Sequence, residues 1–137
     1  MPLVFRSMKK DEDDLPTVEQ SSNGLGVRMA VDIDVDGQGN VMMNGKGMSV
    51  APSWRKLPIY RIPRRLRDKI PKARGSNSVY CFKYGAGPFV QGAFAAGLEL
   101  VPDSSTHGCV VPAQTTLLAQ FERDLADTRG GWQIDES

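Results

Sequence analysis

The strongest pattern in the chain spans residues 27–36. There Val27, Met29, Val31, Ile33 and Val35 alternate with Arg28, Ala30, Asp32, Asp34 and Asp36. Period-two alternation places one set on each face of a strand, so it predicts a half-buried strand with an acidic outer face. Asp36-Gly37-Gln38-Gly39-Asn40 has turn composition, and residues 41–43 are expected to return as the hairpin partner. Residues 2–6 read as a short first strand, and the polar stretch 9–23, with Pro16, as a surface loop. Residues 79–82, 98–101 and 108–111 are short apolar runs of strand type. Residues 89–97 fit helix and loop equally.

The clearest helical pattern closes the chain. Leu117, Leu118, Phe121 and Leu125 form a stripe at i, i+1, i+4 and i+8, behind a cap at Thr115 or Thr116. Arg129 suits the last turn, Gly130 the stop, and Trp132 is expected to pack back on the body. From 51 to 75 the chain holds Pro52, Pro58, Pro63 and Pro71, which forbids a long helix. That segment is expected to lie extended over the surface, with one or two helical turns between Arg64 and Ile70. Short strands interspersed with one helix predict an α+β fold, with residues 1–137 as a single domain.

Composition changes this picture little. Apolar residues make up 40% and charged residues 24%, ordinary for a globular chain. No apolar run approaches the roughly 20 residues of a membrane span, and the first residues lack the pattern of a secretory signal. The expectation is a soluble protein with no membrane partner, either cytoplasmic or exported by a route that needs no signal peptide. Two cysteines, Cys81 and Cys109, suit buried thiols better than a disulfide framework. A zinc site is not expected from one histidine and separated cysteines. Asp32, Asp34, Asp36 and Gly37 match the opening of a calcium-binding loop. The position that should carry a bidentate glutamate is Met43, however, so no metal is expected there.

Charge is near balance overall but unevenly spread. Between Arg55 and Arg74 lie Arg55, Lys56, Arg61, Arg64, Arg65, Arg67, Lys69, Lys72 and Arg74 against a single acid, Asp68. Such a stretch suits nucleic acid, with Trp54 and Tyr60 able to stack on bases. It equally suits an acidic partner protein, or a plain solvated face. The only histidine, His107, stands at a loop-to-strand junction two positions from Cys109. It reads either as an acid–base group, even a Cys–His pair, or as a loop histidine bonded to backbone. Gly85-Ala86-Gly87-Pro88 shares only its glycines with a phosphate-cradling loop.

Four pieces in order carry a resemblance. They are Val4-Phe5-Arg6, Gly47-Met48-Ser49-Val50, the run Thr106-His107-Gly108-Cys109-Val110-Val111-Pro112-Ala113, and the closing helix. Together they resemble small type VI secretion effector toxins of ADP-ribosyltransferase-like kind. The resemblance implies a compact split β-sheet, antiparallel or mixed, with a C-terminal amphipathic helix, gripping nicotinamide adenine dinucleotide (NAD) in a cleft. It implies Arg6 on the first strand and Ser49 on a middle strand as catalytic and cofactor-binding residues. His107 would join them at the site, with Trp54 and Tyr60 as cofactor-binding aromatics. The class also carries a late glutamate that stabilises the oxocarbenium-like charge as nicotinamide leaves. Here the late strand has no carboxylate, although Gln114 and Glu122 are nearby. The implied partners are an immunity protein or antitoxin. Two alternatives stand beside this function: a nuclease toxin using His107 and the basic segment, and a non-enzymatic domain docking an acidic protein.

Overall fold

A computed structural model describes all 137 residues. Its β1 (Val4–Lys9) pairs antiparallel with β3 (Val79–Tyr84), which pairs with the short β7 (Gln133–Ile134). The second sheet runs β2 (Met48–Val50), β6 (Gly108–Pro112), β5 (Leu98–Pro102) and β4 (Gly92–Ala95), antiparallel throughout. Reciprocal hydrogen bonds between Phe5 and Ala51, of 2.7 and 2.9 Å, join the two sheets along β1 and the end of β2. One helix, α1 (Leu118–Asp127), covers the core. The α+β class and the two antiparallel sheets thus agree with the sequence.

Alternation along β1 explains why the molecule has two cores. Val4 and Met8 enter a large cluster with Phe82, Phe94, Leu98, Leu100, Val110, Phe121, Leu125 and Trp132. Phe5, on the opposite face, joins a smaller cluster of Ala51, Trp54, Leu57, Ile62, Leu66, Ala73 and Cys81. The smaller core organises the proline-rich segment. Three 3-10 turns, Trp54–Lys56, Ile59–Arg61 and Arg64–Leu66, replace the extended path expected there. Ser53 caps the first turn and Pro58 and Pro63 fix the entries to the second and third, while Trp54, Leu57, Ile62 and Leu66 fold inward.

The alternating run 27–36 is not a strand. Asp32 Oδ2 accepts from Arg28 N at 2.8 Å and from Arg28 Nε at 3.1 Å, and Ala30 N donates to Ile33 O. Residues 28–33 therefore close into a turn, with Ala30 at φ 66°. Val27 and Ile33 are buried, while Met29 and Val31 are exposed. In an extended strand Arg28 and Asp32 would stand too far apart to pair, and this ion pair favours the turn. The expected hairpin survives only as a bridge between Val35 and Val41, across a turn with Gly39 at φ 84°. The ambiguous stretch 89–97 forms β4, ended by a turn at Gly97.

The helix begins later than its expected caps. Leu117 holds the cap position without a side-chain bond, and Leu118 N donates to Gly39 O at 3.1 Å. A tertiary carbonyl thus satisfies a donor that a Ser or Thr side chain was expected to meet. Phe121 and Leu125 face the core; Leu117 is exposed. Trp132 packs back as expected, its centroid 5.3 Å from Tyr84, with Nε1 donating to Thr128 Oγ1 at 2.9 Å. Arg129 lies past the helix, where it chelates Asp11 and Asp13 and donates to Pro16 O. The acidic loop is held by that arginine, so it does not float free.

Candidate functional site

The junction of the two sheets opens into a cleft of about 210 Å³. Arg6 from β1, Ser49 from β2 and His107 from the β5–β6 turn line it, with Tyr60 and Arg61 from the second 3-10 turn and Lys56 from the first. Residues from the beginning, middle and end of the chain are therefore brought to one place. The sequence-expected set Arg6, Ser49, His107 and Tyr60 is assembled. Trp54 is not part of it: its side chain is buried in the smaller core, with Nε1 donating to Ser137 O at 3.1 Å. Lys56 and Tyr60 point outward from the turns that carry Trp54 and Leu57 inward. Trp54 is thereby corrected from a cleft aromatic to a core residue.

Arg6 is 6% exposed and has no carboxylate partner. Its Nε and Nη2 both donate to Gly24 O at 3.1 Å, Nη2 also to Ser21 O at 3.4 Å, and Nη1 to Ser49 O at 2.8 Å. A guanidinium has five N–H donors, so one on Nη1 remains uncommitted. Burial, and then the neighbouring Arg61, lowers its pKa to about 10, while Asp32 opposes the shift. Arg6 stays cationic at neutral pH. Arg61 Nη1 reaches Ser22 O and Asn23 Oδ1, so two arginines bind the carbonyl edge of one loop, 21–24. The guanidinium expected to grip a ligand is in the first place a tie between β1, this loop and β2.

His107 Nδ1 lies 2.9 and 2.8 Å from the two carboxylate oxygens of Asp103. A carboxylate only accepts, so Nδ1 donates and Nε2 is left free for proton exchange. The turn is closed by Asp103 N and Ser104 N donating to His107 O. Cys109 faces Ser49 across β2–β6, but it is buried, and desolvation raises its pKa, with Asp103 adding to the rise. Its thiol is held protonated, which does not suit a nucleophile. Cys81, also free, is pushed up to about 12, mainly by burial and then by Glu136.

The cleft lining contains no Asp or Glu. Glu122 lies on α1, which packs on the opposite, larger core through Phe121 and Leu125. The lining is cationic and rich in hydroxyls, with Ser7, Ser22, Ser49 and Thr106 beside the arginines and Lys56. Such a surface accommodates phosphate.

No group of three or more metal-binding side chains is present. The three acids of the calcium-like run have other partners. Asp32 holds Arg28, Asp34 holds Lys46 and Asn44, and Asp36 accepts from Gln38 N and Asn40 N. The Gly85–Pro88 loop is likewise occupied. Ala86 N and Gly87 N both donate to Met1 O, and Leu3 N donates to Gly87 O.

Sequence reasoning missed Ser22 and Asp103 as members of the site, and it placed Lys56 and Arg61 in the basic segment without assigning them to the cleft. Asp103 had a signal, since it stands four positions before His107 across a polar turn. Ser22 had none, because only the buried arginines draw its loop to the cleft. No helix is long and apolar enough to cross a membrane. Comparisons with family models, curated proteins and solved structures give no match to this chain.

Proposed function

We propose that this chain is a toxin domain of ADP-ribosyltransferase-like kind that takes NAD in the cleft between its two sheets and acts inside a target cell. The observation that carries this proposal is the convergence of Arg6, Ser49 and His107 on one cationic cleft. Arg61, Lys56 and the spare Nη1 donor of Arg6 would meet the pyrophosphate, and Tyr60 would stack on one of the two bases. At about 210 Å³ the cleft is smaller than the roughly 300–1,000 Å³ of pockets that enclose drug-sized ligands. It would thus hold one end of the dinucleotide and leave the other over the rim.

Bound NAD would supply a glycosidic bond to nicotinamide whose cleavage develops positive charge on the ribose. No lining carboxylate is present to stabilise that charge, a deficit of the kind that costs several kcal/mol. Free Nε2 of His107, oriented by Asp103, is the group placed to accept a proton from an incoming acceptor.

Calorimetric titration with NAD tests the proposal. Lys56→Ala and Tyr60→Ala are the informative variants, because both side chains are exposed and tie nothing together. Binding weakened roughly tenfold by either, with circular dichroism unchanged, is the expected result. No heat at millimolar NAD would sink the proposal.

A further inference from the structure

The cations between Arg55 and Arg74 have different fates in the fold. Arg61 holds the 21–24 loop, Arg65 pairs with Glu136, Arg67 donates to Ala73 O and Lys69 to Glu136 O. Arg55, which lies over the Trp54 ring, and Lys72 are exposed and unpaired; Lys56, Arg64 and Arg74 are also exposed, and none of their side chains makes an ion pair or a hydrogen bond. Backbone bonds place the last three in a row. Arg74 N donates to Ile59 O at 2.9 Å, Gly75 N to Ile62 O at 2.8 Å and Arg64 N to Gly75 O at 3.1 Å. The row therefore starts at the cleft with Lys56, Tyr60 and Arg61, passes Arg74 beside Ile59, and ends at Arg64.

Two further features narrow the partner. Tyr60 is 58% exposed at the cleft end of this row, a flat ring at the cleft mouth with Arg61 5.7 Å from its centroid. The row is also rigid, since Leu57, Ile62, Leu66 and Ala73 anchor it on the smaller core. An acidic protein can also use an exposed tyrosine, but a row of cations leading to a flat ring matches the regular phosphates and bases of a strand more closely. Single-stranded nucleic acid uses both, with phosphates on Arg and Lys and an unstacked base on the aromatic face. A duplex keeps its bases stacked and leaves Tyr60 idle.

We propose that Lys56, Tyr60, Arg61, Arg74 and Arg64 form a track for single-stranded nucleic acid that delivers one nucleotide to the cleft holding His107. Lys56, Tyr60 and Arg61 are also the groups proposed to hold NAD, so strand and dinucleotide compete for the cleft mouth, and the track does not rest on the dinucleotide assignment.

Fluorescence anisotropy with a labelled oligonucleotide of about 12 nucleotides, as RNA and as DNA, tests the track. Affinity should fall steeply with salt. The double variant Arg64→Gln/Arg74→Gln should weaken binding roughly tenfold and flatten the slope of log K against log salt by about 1.4, near 0.7 for each phosphate no longer neutralised. Tyr60→Ala should weaken binding with the slope unchanged. All three side chains are exposed, so the variants keep the fold, as circular dichroism would verify.

Absence of binding at low salt, or binding indifferent to these substitutions, overturns the proposal. So does equal binding of polyglutamate with the same dependence on Arg64 and Arg74, which assigns the row to an acidic protein. A parallel calorimetric titration of the unsubstituted protein with NAD separates the two assignments. NAD binding without oligonucleotide binding removes the track alone, and the reverse removes the dinucleotide alone.

Discussion

Arg6 is the residue on which both the fold and the site turn. Its guanidinium satisfies the carbonyls of Gly24, Ser21 and Ser49 from a strand position whose neighbours Val4 and Met8 are fully buried. Arg6→Ala would leave those carbonyls without a donor and open a void. A loss of about 3 kcal/mol is expected from denaturant unfolding, and a change below about 1 kcal/mol would refute the structural role. Arg6→Lys should recover little, because an ammonium cannot reach three carbonyls in the fork geometry of a guanidinium. At this scale the sequence exposes the residue but not its job. An arginine on an apolar strand is visible as an anomaly. Its partners lie 15, 18 and 43 positions away, on a loop and a strand with no pattern that points to it. His107 shows the same limit, since its pairing with Asp103 depends on the turn that closes between β5 and β6.

Among the elements, the proline-rich segment depends most on distant chain. Its 3-10 turns are pinned by the last residues. Glu136 Oε2 accepts from Cys81 N at 3.0 Å and pairs with Arg65, Lys69 Nζ donates to Glu136 O, and Trp54 Nε1 donates to Ser137 O. Glu136→Ala removes one acceptor shared by a buried strand donor and an arginine. Hydrogen exchange should accelerate within residues 54–69 while α1 keeps its protection, at a cost of about 1–2 kcal/mol in stability. Uniform loss of protection across the molecule would instead mean that the tail serves the global fold. Proline spacing correctly excludes a long helix here. It does not reveal that Leu57, Ile62 and Leu66 turn inward, because their spacing matches neither the period of a helix nor that of a strand.

The whole molecule is laced by carboxylates held below their usual range. Asp135 is lowered from 3.8 to about 2, first by the Ser137 hydroxyl and then by Lys83. Asp11 is lowered by Thr17 and Arg129, Asp13 by Arg129, and Asp34 by Lys46 and Asn44. Each has a folded pKa below its unfolded one, so its contribution is fully present above the unfolded value and fades as pH falls towards the folded one. Stability should therefore be flat from neutrality down to about pH 4 and decline from there towards pH 2. Thermal melts across that range check this. A decline already under way between pH 7 and pH 5 would point to groups other than these carboxylates.

Local pattern alone was enough for the α+β class, strands over 79–82, 98–101 and 108–111, the closing helix with Trp132 returned to the core, and the burial of both cysteines. Those features are set by apolar runs and periodicity, which every neighbouring residue reinforces. The resemblance, and not local pattern, implied Arg6, Ser49, His107, Trp54 and Tyr60 as one candidate site, of which Trp54 lies in the smaller core. Folding in three dimensions was needed to turn residues 27–36 back on themselves, since a local Arg28–Asp32 pair outweighs strand periodicity where no partner strand is offered. It was needed, too, to assign Trp54 to the smaller core and Lys56 and Arg61 to the cleft. A site built where two sheets meet is a property of long-range contacts, and these appear in a sequence only as residues lacking any local reason to be there.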